Sequence, residues 1–169
     1  LAVETCTPDP GLKNAVAAGR PLLAVCASLQ ILGHWYTDAR NRKVEGLGLL
    51  DLTTRPQGKR SIGELVVQPE IDGLSEPLTG FENHGGGSQL GPDARPLGKV
   101  LFGKGSSILP PEGFDEQGSS PDEAALKVPR IDGAVQGSII ATYLHGPVLA
   151  RNPQLADLLL ERALGHKLE

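Results

Sequence analysis

Apolar residues along this chain occur in short runs divided by Pro and Gly, and the first clear run leads into a cysteine. Leu22–Val25 is apolar at every position, which is typical of a strand covered on both faces. After Cys26 the period changes, and Leu29, Leu32 and Trp35, spaced by three, predict one face of a helix. The pattern therefore predicts a strand, a tight turn at Cys26 and a helix.

Helical patterns also precede this strand and close the chain. Before the strand, Asp9-Pro10-Gly11 predicts a helix start and Gly19 predicts its end. Near the other end, Asn152-Pro153 predicts an N-cap with proline at the first helical position, and Gly165 predicts the stop. We expect the leucines of this last helix to pack on a sheet, and the succession of helix and strand is typical of an α/β layer.

Extended segments dominate the middle of the chain, and a loop interrupts them. Five segments predict strands: residues 47–54, 61–68, 78–81, 98–102 and 134–144. Gln57-Gly58-Lys59 predicts a turn between the first two, and the last segment is expected to end at His145. Pro, Gly, Ser and acidic residues fill positions 106–129, which predicts an excursion loop with a short helical turn over residues 121–126.

Composition and charge narrow the function classes. The 169 residues fit a single domain over 1–169 and carry 16 Lys and Arg against 20 Asp and Glu, a net charge of −4. The basic residues are scattered, which excludes an electrostatic footprint for nucleic acid. No apolar stretch reaches the roughly 20 residues that span a bilayer, so no membrane span is expected. The only cysteines, Cys6 and Cys26, form no metal or disulfide pattern, and we expect a cytoplasmic protein. The chain starts without an initiator methionine, and we expect an N-terminal part to be missing.

Cys26 and His145 form a candidate catalytic pair, because each follows a predicted strand and strand ends in an α/β sheet converge on one crevice. Backbone N–H groups at the start of the helix are expected to lower the thiol pKa. An imidazole can take the thiol proton and later protonate a leaving amine, and the Ala27 N–H is placed to receive a developing oxyanion. The alternatives are a buried structural cysteine and a structural histidine with satisfied hydrogen bonds.

Three motifs resemble one enzyme family. They are Leu23-Ala-Val-Cys-Ala-Ser-Leu-Gln30, Gly80-Phe-Glu-Asn-His-Gly-Gly86 and Ala141-Thr-Tyr-Leu-His-Gly-Pro-Val-Leu-Ala-Arg-Asn-Pro153. Together they resemble the class I, triad-type glutamine amidotransferases, more narrowly the cobyric-acid-synthase-like branch, and within it the GatD-type glutaminase subunits. The resemblance implies a layered α/β fold with a central, mostly parallel or mixed sheet flanked by helices.

The resemblance also implies roles for single residues. Cys26 would attack the side-chain amide carbon of L-glutamine to give a thioester and ammonia, with His145 as base and then acid. Substrate contacts are implied for five further residues: Arg60, Gln30, Asn83, Gly85 and Gly86. The Arg60 guanidinium would hold the α-carboxylate in a fork, and the two glycines belong to a loop close to the substrate. The alternatives are a solvated surface arginine and a turn at Asn83 and His84.

A partner is implied by the same resemblance. Ammonia would pass to a Mur-ligase-like, ATP-dependent synthetase subunit of the MurT type, a heterodimer partner that amidates the D-glutamate of lipid II in peptidoglycan synthesis. No GxxxxGK[ST] loop occurs in this chain, so ATP and Mg are expected in the partner and no cofactor is expected here. The alternatives are a glutaminase of a cobyrinic or cobyric acid amidotransferase and a non-catalytic binding subunit with the same fold.

Three features depart from the family pattern. Ala24 and Ser28 stand where many members have glycines beside the nucleophile, which suggests a less sharp turn. Pro147 stands where many have a carboxylate two residues after the histidine, so the resemblance implies a third triad residue from the partner, an aspartate. The family also begins with a strand and a Gly-rich loop that supplies a second oxyanion donor, and the present chain has no counterpart.

Overall fold

The computed structural model describes residues 10–38, 40–108 and 130–168, and its helices and strands confirm the predicted α/β class. The described helices are α1 (Pro10–Ala17), α2 (Ala27–Leu32), α3 (Val148–Arg151) and α4 (Pro153–Leu164). The described strands are β1 (Leu22–Val25), β2 (Trp35–Thr37), β3 (Lys43–Glu45), β4 (Leu52–Pro69), β5 (Leu78–Leu90), β6 (Gly98–Phe102), β7 (Ile131–Asp132), β8 (Ala134–Gln136) and β9 (Ile139–Thr142). Cys6, Asp9 and most of the predicted loop, with its helical turn, lie outside the described residues. None of the described helices has the length and hydrophobicity that crossing a membrane requires.

A three-stranded sheet in the order β1-β9-β8 carries the strand that leads to Cys26. β1 pairs with β9 in parallel and ends with Val25 opposite Thr142, so the carboxyl ends of the two strands lie side by side. The predicted strand is confirmed as β1. Of its four residues Ala24 is buried and the other three are half-buried, so the expected cover on both faces is incomplete among the described residues. The single strand predicted over 134–144 is instead a hairpin, because β8 turns back into β9 at Gly137, which has a φ of 56°.

A six-stranded sheet holds the middle of the chain, in the order β3-β2-β4-β6-β7 with β5 paired to β4. The predicted turn at Gln57-Gly58-Lys59 is wrong, since these residues lie within the long strand β4. Antiparallel pairing with β5 is interrupted between Pro56 and Ser61, where residues 57–60 bulge out opposite Gly85. Both sides of the bulge pair with the same strand, and for that reason β4 continues through it.

Other predicted strands change at their ends. Residues 98–102 form β6 as predicted. The segment 47–54 enters β4 only at Leu52, and the segment 78–81 continues to Leu90 as β5.

The helix that follows the cysteine ends earlier than predicted. α2 stops at Leu32, and Trp35 begins β2 instead of extending the helical face. Gly33 packs so closely on Leu52 that a Cβ there would lie 2.6 Å from the Leu52 Cδ1. The backbone N–H of His34 then donates to the Leu52 carbonyl (2.8 Å). Contact with β4 therefore draws the chain out of the helix.

Both terminal helices are confirmed. α1 is followed by Gly19 with a φ of 73°, and α4 by Gly165 with a φ of 77°, the left-handed conformation that ends helices. Leu155 and Leu158 of α4 are buried in one core cluster with residues of β4, β5, β8 and β9. The last helix thus packs on sheet residues, as predicted.

Asn152 stands at the N-cap of α4, but its side chain makes no capping hydrogen bond. Its Oδ1 accepts the Thr79 N–H (2.7 Å), and its Nδ2 donates to the carbonyls of Thr79 (2.9 Å) and Val148 (2.7 Å). Asn152 therefore ties the start of α4 to β5, and the predicted capping role is wrong.

Candidate active site

The Cys26 thiol lies at the turn between β1 and α2. The backbone of Cys26 has φ 55° and ψ −113°, a conformation that residues with a side chain seldom adopt. Cys26 donates its N–H to the Thr142 carbonyl (2.9 Å) and accepts the Leu29 N–H at its own carbonyl (3.0 Å). The thiol is free and half-buried. The predicted strand, turn and helix at Cys26 are confirmed, and the turn is sharp although Ala24 and Ser28 replace glycines.

The surroundings of the thiol raise the Cys26 pKa, so the predicted lowering is wrong. Burial is the largest cause, and it outweighs the hydrogen bond from the Ala27 N–H and the positive charge of Arg60, both of which lower the pKa. The predicted effect of the helix start is therefore present but smaller than desolvation. A thiol of this kind needs a base before it acts as a nucleophile at neutral pH.

Arg60 and Asn83, two predicted substrate-binding residues, are brought together at the exposed edge of the bulge. The Arg60 Nε donates to the Asn83 Oδ1 (2.7 Å), and the Arg60 Nη2 donates to the Asn83 carbonyl (3.2 Å). Asn83, Gly85 and Gly86 lie in β5, so the predicted loop and the alternative of a turn are both wrong. Arg60 is the last of the β4 residues that bulge out opposite Gly85. Its positive charge lowers the Cys26 pKa.

The His145 imidazole is oriented by a backbone carbonyl. The His145 Nδ1 lies 3.2 Å from the Phe81 carbonyl oxygen, which also accepts the His145 backbone N–H (2.8 Å). The Phe81 and His145 rings stack with their centroids 5.5 Å apart. An Nδ1–H donated to this carbonyl leaves Nε2 with the lone pair that a base needs. Among the hydrogen bonds of the described residues, none joins this ring to the Cys26 thiol.

Gln30, one turn of α2 beyond the cysteine, contacts Gly86 and Tyr143. Its Nε2 donates to the Tyr143 Oη (2.8 Å). A Cβ at Gly86 would lie 2.8 Å from the Thr54 Cγ2 and 3.0 Å from the Gln30 Nε2, so a side chain there would displace its neighbours. A Cβ at Gly85 would meet no atom within 4 Å. The structure therefore shows a packing reason for Gly86 and leaves open space at Gly85.

A buried carboxylate and histidine lie behind Tyr143. The Glu82 Oε2 is 2.9 Å from the His84 Nε2, and the His84 ring stacks on Tyr143 with a centroid distance of 4.0 Å. Glu82 also accepts the backbone N–H groups of Lys104 (2.7 Å) and Gly105 (2.9 Å). Burial raises the Glu82 pKa, but the hydrogen bonds from His84 and the two backbone groups outweigh it and leave the pKa lowered. Glu82 is therefore present in this pair as a carboxylate.

Sequence reasoning gave no role to Tyr143, Glu82 or His84. All three lie inside the motifs that carry the family resemblance, Tyr143 two residues before His145 and the other two beside Asn83. Their position inside these motifs is the signal that the sequence offers. Their contacts join segments more than fifty residues apart, and a local pattern does not predict such contacts.

The chain matches one family over most of its length. The family described as a CobB/CobQ-like glutamine amidotransferase domain matches residues 4–153.

Two relatives are subunits described as lipid II isoglutaminyl synthase (glutamine-hydrolyzing) subunit GatD. The one from Staphylococcus aureus (strain N315) is 34% identical over 156 residues, which are 92% of this chain and 54% of that protein. The one from Streptococcus pneumoniae (strain ATCC BAA-255 / R6) is 33% identical over 157 residues, covering 92% of this chain and 52% of that protein. The chain therefore spans about half the length of these relatives.

A probable cobyric acid synthase from Methanosphaera stadtmanae is 30% identical over 137 residues, covering 75% of this chain and 23% of that protein. Among solved structures, one described as a crystal structure of glutamine amidotransferase has a TM-score of 0.53 at 17% identity and covers 90% of this chain and 66% of that one. The structural likeness supports the fold, and the sequence matches support the family.

Proposed function

This chain belongs to the CobB/CobQ-like glutamine amidotransferase family, and from this premise we propose that it is the glutaminase part of an ATP-dependent amidating enzyme. The observation that carries the proposal is the strained turn at Cys26, which presents a free thiol at the carboxyl ends of two paired strands. His145 follows the second of these strands. The proposed nucleophile, Cys26, and the proposed base, His145, thus follow the ends of neighbouring strands.

In the proposed reaction, the His145 Nε2 takes the proton of the Cys26 thiol as the sulfur bonds to the side-chain amide carbon of glutamine. The carbonyl electrons move to oxygen, and the Ala27 N–H, which hydrogen-bonds the sulfur, is the proposed donor to the oxyanion. Collapse of this intermediate breaks the C–N bond, and the leaving nitrogen takes the proton from His145 as ammonia. Water then attacks the thioester with His145 again as base, which releases glutamate and restores the thiol.

Arg60, Asn83 and Gln30 are the proposed contacts of the amino-acid end of glutamine. The guanidinium is exposed at the bulge and held by Asn83, so its direction is fixed before a carboxylate arrives. Gly86 has no side chain, so the backbone of β5 can lie close to the Gln30 amide. Gly85, with open space beside it, is proposed to face the substrate through its backbone.

The proposed fate of the ammonia is transfer to a synthetase subunit of the Mur-ligase type that binds ATP and Mg and amidates the D-glutamate of lipid II in the cytoplasm. The two GatD relatives, described as glutamine-hydrolysing subunits of lipid II isoglutaminyl synthase, support this acceptor. A second candidate is a cobyrinic or cobyric acid acceptor, favoured by the similarity to cobyric acid synthases. Incubation of the native complex with ATP, glutamine and each acceptor in turn separates the two by which product gains an amide.

The decisive test of the glutaminase is glutamate release by the native protein with its synthetase partner, compared with Cys26→Ser. We expect the variant to lose activity by several orders of magnitude, because a serine hydroxyl is a far weaker nucleophile with the same base. Ser28→Ala, an exposed change two residues away, is the matched control and should retain activity. Equal rates in wild type and Cys26→Ser, with Cys26 unlabelled by diazo-oxo-norleucine, would indicate the non-catalytic binding subunit instead.

A further inference from the structure

His84 is a buried histidine to which the proposed reaction gives no part. It is 5% exposed, and its partner Glu82 is 2% exposed. The His84 Nε2 lies 2.9 Å from the Glu82 Oε2, and the His84 Nδ1 lies 3.0 Å from the Gly86 carbonyl oxygen. A carboxylate and a carbonyl oxygen only accept hydrogen bonds, so both ring nitrogens donate. His84 therefore connects the Glu82 carboxylate to the backbone of Gly86.

The neighbours of the His84 ring hold it in one orientation. Glu82 is itself anchored, because its carboxylate accepts the backbone N–H groups of Lys104 (2.7 Å) and Gly105 (2.9 Å). The Tyr143 ring stacks on the His84 ring with a centroid distance of 4.0 Å and an interplanar angle of 9°. One nitrogen is thus held by Glu82 and one face is covered by Tyr143, which leaves the Nδ1–H directed at the Gly86 carbonyl.

The backbone that receives this hydrogen bond is weakly held by its own sheet. Residues 85–87 are all glycine, and glycine has more backbone freedom than any other residue. β4 offers no partner to Gly85, because residues 57–60 bulge out there. Pro56 is the β4 partner of Gly86, and proline has no backbone N–H to donate. The pairing with β4 therefore leaves the Gly86 carbonyl without a donor from Pro56, and the His84 side chain supplies one.

From this arrangement we infer that His84 is a positioning residue. Its Nδ1–H replaces the backbone donor that Pro56 lacks, and it thereby holds Gly86 and the unpaired Gly85 in one conformation. The inference rests on the proposed function, which places the Gly85 backbone against the substrate. A glycine backbone that is held before glutamine arrives does not have to be ordered on binding, so the affinity for glutamine is higher. His84 acts through Gly86 and needs no contact with the substrate.

Two amide variants separate the two hydrogen bonds of His84. The amide nitrogen of asparagine reaches the position of Nδ1, so His84→Asn keeps the donor to Gly86 and loses the donor to Glu82. The amide nitrogen of glutamine reaches the position of Nε2, so His84→Gln keeps the donor to Glu82 and loses the donor to Gly86. Both variants lose the ring that stacks on Tyr143, and this loss cancels when the two are compared.

The two variants should differ in opposite directions in substrate binding and in stability. In the native complex we expect KM for glutamine to rise about tenfold in His84→Gln and less than about threefold in His84→Asn, with kcat within about threefold of wild type in both. The midpoint of urea unfolding should be lower in His84→Asn, because the buried Glu82 carboxylate loses a donor there. His166→Asn and His166→Gln are the matched controls, since His166 is exposed and its Nδ1 also lies near a backbone carbonyl, that of Lys167 (2.9 Å). They should change neither KM nor the midpoint.

Opposite orders of KM and stability are the result that the inference requires. A wild-type KM in His84→Gln overturns it, and so does a KM that rises equally in both variants or more in His84→Asn, because binding would then follow the lost ring or the lost stability. A His84→Gln protein that fails to fold although it keeps the donor to Glu82 overturns it as well, since the role of His84 would then be one of stability. Failure of the proposed function is a separate result, because it appears as wild-type glutamate release by Cys26→Ser with His84 in place.

Discussion

At the scale of single residues, His145 owes its orientation to the Phe81 carbonyl, a neutral acceptor, where Pro147 replaces the carboxylate of many triad enzymes. A neutral acceptor fixes the ring but stabilises the imidazolium less than a carboxylate does. The geometry is thus compatible with the proposal that a partner completes the site. In the proposed reaction, proton transfer from the Cys26 thiol, whose pKa is raised, depends on His145.

We predict that His145→Gln lowers kcat for glutamine hydrolysis by about 10²–10⁴, because the thiol then lacks the proposed base. The measurement is steady-state glutamate release by the native complex. His34→Gln is the control, since His34 is exposed and bonds Asp51 at 3.0 Å on another part of the surface. A kcat within threefold of wild type in His145→Gln would exclude the base role.

Arg60 has two separable effects, one of shape and one of charge. Its fork is held by Asn83, and its positive charge lowers the Cys26 pKa against burial. Arg60→Gln removes the charge, so the pH midpoint for alkylation of Cys26 by iodoacetamide should move upward. Arg60→Lys keeps the charge but not the fork, so the midpoint should stay while KM for glutamine rises about tenfold.

Arg55→Gln is the matched control for these two variants, since Arg55 lies over the Trp35 ring at 5.3 Å from its centroid, before the bulge. It should change neither the midpoint nor KM. If Arg60→Gln leaves the alkylation midpoint in place, the Arg60 charge does not act on the thiol.

At the scale of elements, the turn between β1 and α2 stores backbone strain at Cys26. Its φ of 55° suits glycine better than any residue with a Cβ. We predict that Cys26→Gly is more stable than Cys26→Ala by about 1 kcal/mol, the reverse of the usual order of these residues. The measurement is the free energy of unfolding in urea.

Ala156→Gly, in the interior of α4, is the control for this comparison and should lose about 1 kcal/mol. If Cys26→Gly is instead less stable than Cys26→Ala by a similar amount, the turn is unstrained. The strain would then have no part in exposing the thiol.

Elements were predictable where local patterns decide them. Leu22–Val25, α1, α4 and residues 98–102 follow from runs of apolar residues bounded by Pro or Gly, and the structure confirms them. The bulge over 57–60 could not be predicted, because Gly58 favours a turn locally and only pairing with β5 keeps the strand continuous. Tertiary pairing overrode local propensity there, as it did at Trp35.

The candidate site divides in the same way. Cys26 at a strand-to-helix turn follows from its neighbours in sequence, and so does His145 close after a strand. The contact of Gln30 with Tyr143 spans 113 positions, and no local pattern fixes such a contact. The direction of the thiol pKa was also out of reach, since it depends on how much of the side chain the fold buries.

At the scale of the whole molecule, the site is shared between the two sheets. Cys26 and His145 follow strands of the three-stranded sheet, whereas Arg60 and Asn83 lie in the six-stranded sheet. Asp132 of β7 joins the two, because it accepts the Thr142 hydroxyl of β9 (2.5 Å). The Thr142 carbonyl in turn accepts the Cys26 N–H. The relative position of the two sheets therefore affects the position of Cys26.

Asp132 is fully buried, and burial raises its pKa from 3.8 to about 6. The Thr142 hydroxyl, the Tyr143 N–H and the charge of His84 lower the pKa, and the charge of Glu82 raises it further. The native state therefore holds the Asp132 proton more tightly than the unfolded state does. Stability from this group is full below the unfolded pKa and is lost as pH rises through the native pKa.

Asp132→Asn keeps the side-chain shape and removes the titration. The quantity to follow is the difference in the free energy of unfolding, wild type minus Asp132→Asn. We predict that this difference falls by about 2 kcal/mol between about pH 4 and about pH 7. Urea unfolding at a series of pH values measures it. Asp51→Asn gives the opposite slope, because the Asp93 N–H and His34 lower the Asp51 pKa and its contribution is lost as pH falls. A difference for Asp132→Asn that rises with pH would mean that the Thr142 and Tyr143 hydrogen bonds outweigh burial and lower the Asp132 pKa.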